Sequence, residues 1–470
     1  MTCRPPARTA LAPAFLAWVC AGCAHEPIER PTVEVPGAFS SGATFSAAAA
    51  PSEIWPAADW YGAFHSEELN ALILQARSGN LDLEAAQARI RQANAHARAA
   101  GAALLPAIAL EGNVARIRGH VRGETASETD SSLGLTASYE VDFWGANRAS
   151  RNSAALSAVA RQLDRDTLSL TTDAAVANTY FLVLSLRERG AAARADLEAA
   201  RQMLVAVEAR FREGMTGPLE VASQRALVAA AELVPPDLAQ QEREASIALA
   251  LLVGRAPEAF RIEASSLEGI AEPALAPGIP AELIARRPDI AAAEYELAAA
   301  HADLLRARAA FFPTITLTTT GALQNPGFNA AVTTLSGTGS SISFSAALVQ
   351  AIFDGGQRAA LRDEVKARED ELLAAYRSAI LAALGDVENT LSELQQLDAQ
   401  KAAQVENVTQ SERALEGAQL RYREGAGDVL ALLEAQRAVA GAHDKQGVYR
   451  LARLQTLVGL GKALGGGWKQ

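Results

Sequence analysis

The residues of this chain that could do chemistry gather at its N-terminus and at two near-identical turns. The turns read REGMTGPLEVASQRA (Arg212 to Ala226) and REGAGDVLALLEAQRA (Arg423 to Ala438). Each carries a glycine, Gly214 or Gly425, where a reversing backbone needs positive φ. Carboxylates come next, Glu220 in the first turn and Asp428 and Glu434 in the second, with Arg421 and Arg423 just ahead. Asp428 has the position of a helix N-cap, and Glu220 that of an acid resting on a helix N-terminal dipole. Glu434 lies past the first turn of its helix, where both accounts weaken. Nothing points to catalysis. The six histidines are scattered with none paired at metal-ligand spacing, and LSGTGS (Leu335 to Ser340) falls between strands, not between a strand and a helix as a phosphate loop would. The reading is a non-enzyme with no cofactor and no metal site.

All three cysteines, Cys3, Cys20 and Cys23, lie in the N-terminal segment. Arg4 and Arg8 precede TALAPAFLAWV, an apolar run too short to span a bilayer as a helix, which is the pattern of an export signal. Ala21 and Gly22 before Cys23 resemble the lipobox of bacterial lipoproteins, in which the cysteine becomes an acylated first residue; Cys20 stands where that motif prefers Leu. Cleavage before Cys23 leaves one thiol and no internal disulfide. The bland alternative is an ordinary signal peptide. Ala24 looks like outer-membrane sorting, and acyl chains would anchor the chain at about 0.8 kcal/mol per buried methylene. The net charge of −11 argues against binding nucleic acid or anionic lipid along a basic face.

Residues 24 to about 60, with five prolines and no periodicity, read as an extended tether. Beyond residue 60 the chain is a tandem repeat. LDLEAAQARIRQANAHARAAGAALLPAIAL (Leu81 to Leu110) matches PDIAAAEYELAAAHADLLRARAAFFPTITL (Pro288 to Leu317), and YEVDFWGANRAS (Tyr139 to Ser150) matches VQAIFDGGQRAA (Val349 to Ala360). The periods switch from helical to alternating around Ile108 to Val114, Leu133 to Phe143, Ile315 to Gly321 and Ile342 to Leu348, giving four strands with one apolar face each. RIRGHVRGETASETD and ALQNPGFNAAVTTLSGTG read as the polar or glycine-rich loops between paired strands. Four strands cannot close a membrane barrel, whose smallest bacterial form has eight, so the strands must be shared among subunits; the bland alternative is a soluble four-stranded sheet.

Proline-free helical runs from Gly145 to Glu213 and Gly356 to Glu424 could each extend about 100 Å. Each returns from its turn through split helices. Pro218 to Val253 is expected to be continued by Glu282 to Ala310, and Val429 to about Leu464 to complete the helix begun by Leu81 to Leu104.

DWYGAFHSEELNALILQARSGNLDLEAAQARIRQA, ELIARRPDIAAAE, FDGGQRAAL and RYREGAGDVLALLEAQRA together resemble the outer membrane factor (TolC-like) family, in particular its lipidated efflux members, over nearly all of the chain from Trp60. The resemblance implies a mainly α fold with a small transmembrane β part: four strands per subunit in a shared 12-stranded barrel of a homotrimer, and a long periplasmic helical barrel. The expected division is residues 1–22 signal peptide, 23–60 lipidated tether, 61–270 first repeat and 271–470 second repeat. It places Gly214 and Gly425 at a periplasmic tip that docks an adaptor protein, and makes Glu434, Glu220, Asp428 and Arg421 candidates for the constriction, with Arg421 and Arg423 bridging neighbouring hairpins. Ala431 stands where some members have another acid. The implied function is a passive outer-membrane exit duct, fed by an inner-membrane transporter of the RND type through the adaptor. The alternatives are a channel for type I protein or peptide secretion, and a lipid-anchored coiled-coil scaffold without a pore.

Overall fold

A computed structural model describes residues 36–40, 59–121, 124–273, 280–326 and 339–468. Cys23, the signal segment and most of the tether lie outside the described residues. The elements repeat in order. The first copy runs α1 (Glu67–Gly79), α2 (Leu81–Ala102), β1 (Ala107–Val121), β2 (Glu124–Glu140), α3 (Ala146–Arg212), α4 (Pro218–Glu232) and α5 (Val234–Leu252). The second runs α6 (Pro280–Leu283), α7 (Pro288–Ala309), β3 (Thr314–Pro326), β4 (Gly339–Val349), α8 (Gln357–Arg423) and α9 (Val429–Ala463). Both long helices have 67 residues, and α2 and α7 have 22 each, so the duplication survives in the element lengths. No helix among the described residues is long and apolar enough to cross a membrane.

One compact unit comprises the described residues of 90–160 and 293–376. Its sheet is an antiparallel meander ordered β1-β2-β3-β4, in which β2 pairs with β3 and so joins the two repeats. The register stacks the apolar sets in rows: Leu110 faces Leu135, which faces Gly321, which faces Ile342. The neighbouring row is Ile108, Ala137, Thr319 and Phe344. Side chains of alternate residues point to opposite faces, so these rows form one apolar face, while Thr136, Thr320 and Ser343 share the other. The apolar face is bare in the single subunit, with Phe344 83% exposed. At its base Trp144 stacks on Phe312 at 4.5 Å and donates its indole N–H to the Pro313 carbonyl at 2.8 Å. The stretch RIRGHVRGETASETD, expected as a loop, is almost wholly strand, with Arg118 paired to Ser127. Backbone pairing in an antiparallel ladder is indifferent to side-chain polarity, so the hairpin continues beyond its apolar rows.

The other unit comprises the described residues of 33–89, 161–292 and 377–470. Its core buries Phe64, Leu69, Ile73, Tyr180, Phe181 and Leu184, with the Phe64 and Phe181 rings 5.1 Å apart. Ser66 caps α1, its hydroxyl accepting the Leu69 N–H at 3.2 Å. Asp173, almost fully enclosed, accepts a two-pronged bond from Arg77 at 3.1 and 2.6 Å. Within the proposed tether, Phe39 is buried and Ser40 donates its N–H and hydroxyl to Glu388.

The split helices join differently from expectation. The end of α5 meets the start of α2, where Asn80 donates to the Leu252 carbonyl at 2.9 Å and caps α2 by accepting from Leu83 N–H at 3.1 Å. The end of α9 meets the start of α7, where Arg287 donates to the Ala463 carbonyl at 3.2 Å and pairs with Asp289 and Asp386. Each junction uses a polar residue just ahead of one helix to satisfy a terminal carbonyl of the other, which has no partner inside its own helix. Helices adjacent in sequence are therefore not the ones that join. α4 and α5 are also interrupted at Leu233, where Pro235 and Pro236 cannot donate and the helix restarts with them in its first turn.

Candidate functional site

Both long helices end in the same way. Gly214 has φ +72° and Gly425 φ +77°. Gly214 N–H bonds the Phe211 carbonyl at 3.0 Å and Met215 N–H the Arg210 carbonyl at 2.9 Å; Gly425 N–H bonds Tyr422 at 3.1 Å and Ala426 N–H Arg421 at 2.9 Å. This paired pattern satisfies helix-end carbonyls and requires a residue without a Cβ penalty at positive φ. A Cβ on Gly214 would meet nothing, so backbone conformation, not crowding, calls for glycine there. The chain then re-enters helix by two different devices. Pro218 opens α4 at its first position, and the Asp428 carboxylate caps α9 by accepting the Leu430 N–H at 3.1 Å.

Beside the turns the two hairpins share one apolar cluster, in which Met203, Val207 and Val221 pack with Tyr422, Val429, Leu432 and Leu433. Arg210 crosses this seam. Its Nη1 donates to the Tyr422 carbonyl at 2.7 Å and reaches the Arg423 carbonyl at 3.4 Å, and its guanidinium lies 4.9 Å from the centre of the Tyr422 ring. A cation over the last carbonyls of α8 is favoured by the helix dipole and by the ring face. Burial pushes the Tyr422 phenol up, and the negative charge of Glu220 adds to the rise.

Of the residues singled out in the sequence, Gly214, Gly425, Glu220, Asp428 and Arg421 lie at these turns, and Glu434 follows on the second turn of α9. Glu220 is half-buried toward Tyr422, whereas Glu434 stands exposed on α9 between the buried Leu433 and Ala435. Arg421 curls back toward the Ala426 carbonyl of its own turn at 3.5 Å. Within the chain, the arginine that crosses the seam between the two hairpins is Arg210. Arg210 is the counterpart of Arg421 when ARFREG is laid on LRYREG, so the repeat itself held the signal. Only one of the two matched arginines makes this bridge, and the ring it meets is Tyr422, where the first copy has Phe211.

The family model described as outer membrane efflux protein matches residues 72–255 and 279–466, the two repeats in turn. The chain is 42% identical over 419 residues to the pyoverdine export outer membrane protein OpmQ of Pseudomonas aeruginosa, covering 87% of each chain. It is 40% identical over 436 residues to the protein of the same name in Pseudomonas putida, covering 90% of this chain and 91% of that one. The structure of the open state of the Neisseria gonorrhoeae MtrE outer membrane channel superposes with a TM-score of 0.84 at 30% identity, covering 94% of this chain and 98% of the other.

Proposed function

We propose that this chain, which belongs to the outer membrane efflux protein family and is an outer-membrane channel of an efflux system, works as the passive exit duct of a tripartite pump. The observation that carries the assembly is the open four-stranded sheet: its apolar face is bare and the outer edges of β1 and β4 carry no partner strand among the described residues. Unpaired edges are untenable in lipid, and three copies supply the twelve strands that close them. The subunit is therefore a third of a barrel, anchored additionally through an acylated Cys23. The division proposed with it is residues 1–22 signal peptide, 23–60 lipidated tether, 61–270 first repeat and 271–470 second repeat.

In the helical unit, the turns at Gly214 and Gly425 are the docking points for a periplasmic adaptor, since both expose reversing backbone. The adaptor links the channel to an inner-membrane transporter, for which the family resemblance suggests the RND type. Arg210 and Tyr422 tie the tip shut, and Glu434, repeated about the trimer axis, forms the cation-attracting constriction, with Glu220, Asp428 and Arg421 behind it. The cargo is a small molecule of the pyoverdine kind, a reading supported by the identity to two relatives named for pyoverdine export.

Native mass spectrometry of the protein extracted from outer membranes tests the assembly. Three chains, each starting at triacylated Cys23, are expected; an unlipidated monomer refutes both anchor and barrel. The cargo is tested by supplying this chain to a Pseudomonas aeruginosa strain lacking OpmQ, where restored pyoverdine in the medium is expected and continued cellular retention counts against it.

A further inference from the structure

Above the apolar cluster of the tip, a cavity of about 460 Å³ opens between α3, the α4–α5 segment and α9. It exists because the facing side chains are short: Ala193 of α3, Ala231 of α4 and Ala440 of α9 stand where larger residues would close the space. Helix interiors normally pack without such voids, and this volume falls in the range of small-molecule pockets. Val234, at the interruption between α4 and α5, lines the opening and is itself exposed.

The polar groups around it divide sharply. Arg189 is paired with Asp444 at 2.7 Å, Asp237 accepts from Gln241 at 2.9 Å, and His443 lies 3.5 Å from Asp196 and 3.1 Å from Glu412. Two groups are left over. Both ends of the Gln436 side-chain amide are buried without a hydrogen-bond partner, and Arg437 beside it makes no ion pair or side-chain hydrogen bond among the described residues. Buried unpaired amide atoms are uncommon in folded proteins and call for an occupant that supplies one donor and one acceptor. Water could meet the amide but gains nothing from the alanine walls.

We infer that this cavity binds an amphipathic organic anion, with its apolar skeleton against the alanines, its carboxylate or sulfonate on Arg437, and a polar edge on Gln436. The occupant touches both helical hairpins and would hold them at one separation. This site lies apart from the glycine turns and does not depend on the transport reading, because a scaffold without a pore would possess the same cavity.

The test uses the full-length protein in lipid nanodiscs, titrated calorimetrically with 6-hydroxynaphthalene-2-carboxylate, whose hydroxyl supplies the donor and acceptor for Gln436, and, separately, with its neutral carboxamide, against empty nanodiscs. Saturable binding is expected, with the carboxylate favoured about tenfold, as one charge-assisted hydrogen bond provides. Arg437→Gln, a change at an exposed position, should remove that preference while sparing carboxamide binding. Ala440→Leu should abolish binding of both probes by filling the space. Heats no larger than those of empty nanodiscs overturn the site. Binding that ignores Ala440→Leu places the probe elsewhere and overturns it too, and a carboxylate preference that survives Arg437→Gln overturns the assignment to an anion.

Discussion

Replacing Arg210 by Met removes the tie across the tip while keeping an unbranched side chain of similar length. The lost interactions are one charged hydrogen bond to the Tyr422 carbonyl at 2.7 Å and a guanidinium over the ring at 4.9 Å. Such a bond contributes about 1.5–3 kcal/mol, nearer the lower value at a solvent-bathed turn, and the ring contact about 0.5–1 kcal/mol. The buried Arg210 Nε has no partner, so its removal returns about 1 kcal/mol. The net is about 1–1.5 kcal/mol per subunit, or roughly a tenfold shift toward separated hairpins. If three subunits separate together, the shifts multiply to about a thousandfold. Single-channel recording in planar bilayers reads this directly: Arg210→Met should convert brief, rare openings into long ones, with Arg210→Lys intermediate because a lysine keeps charge but not the planar fork. A Met variant that assembles normally and gates like the parent refutes the tie as a closing device.

Arg77→Met should lower stability by about 3 kcal/mol, because it leaves the Asp173 carboxylate enclosed and unpaired; a urea midpoint series checks this, and adding Asp173→Leu should restore most of the loss. Burial pushes the Tyr180 phenol up to about 12, with its hydroxyl donated to Glu68 at 3.0 Å. A pKa raised in the folded state means stability that is present below the unfolded value near 10 and is lost as pH rises through about 12, so Tyr180→Phe should flatten alkaline unfolding over that window by on the order of 2 kcal/mol. An identical alkaline profile in the variant contradicts that assignment. Glu434→Gln should move the reversal potential measured across a salt gradient toward the unselective value, and an unmoved potential means the carboxylate does not face the ion path.

The parts of this fold visible in the sequence are those fixed by local rules. Absence of proline marked α3 and α8, and the glycines after REG marked their ends, because backbone conformation at positive φ is a one-residue property. Long-range choices were not visible. Whether α5 is continued by α7 or by α2 depends on which helix end presents Asn80 or Arg287 to a free carbonyl, and nothing in the helical periods encodes that. The polar hairpin from Arg116 to Asp130 was hidden for a related reason, since its strands are held by backbone pairing and lack the alternation that identifies the rows beneath them. Pro235 and Pro236 fall inside the run expected as one helix, Pro218 to Val253, where interior positions do not tolerate them; a first turn does, which is the reason a new helix begins there. At the tip, Arg210 and Arg421 occupy matched positions of the repeat, and the changes from Ala209 to Leu420 and from Phe211 to Tyr422 accompany different roles.

The bare sheet face supports a prediction whose sign depends on the solvent around it. Leu135 sits mid-strand in β2, flanked by Leu110 and facing Gly321, and is 56% exposed in the subunit. Were that exposure to water, Leu135→Arg would be a surface substitution worth within about 0.5 kcal/mol. Were it to lipid, the same change costs about 2–4 kcal/mol near the bilayer midplane, in every subunit of the barrel. Thr136→Arg, one residue on and pointing to the opposite face, is the matched control, because a face carrying Thr320 and Ser343 already tolerates polar groups. Heat-modifiable migration of outer-membrane extracts distinguishes the two environments. Loss of the heat-sensitive oligomer with Leu135→Arg but not with Thr136→Arg places the apolar rows against lipid. Equal behaviour of the two variants means that the rows pack against protein or water, and the shared barrel then fails whatever the family resemblance implies.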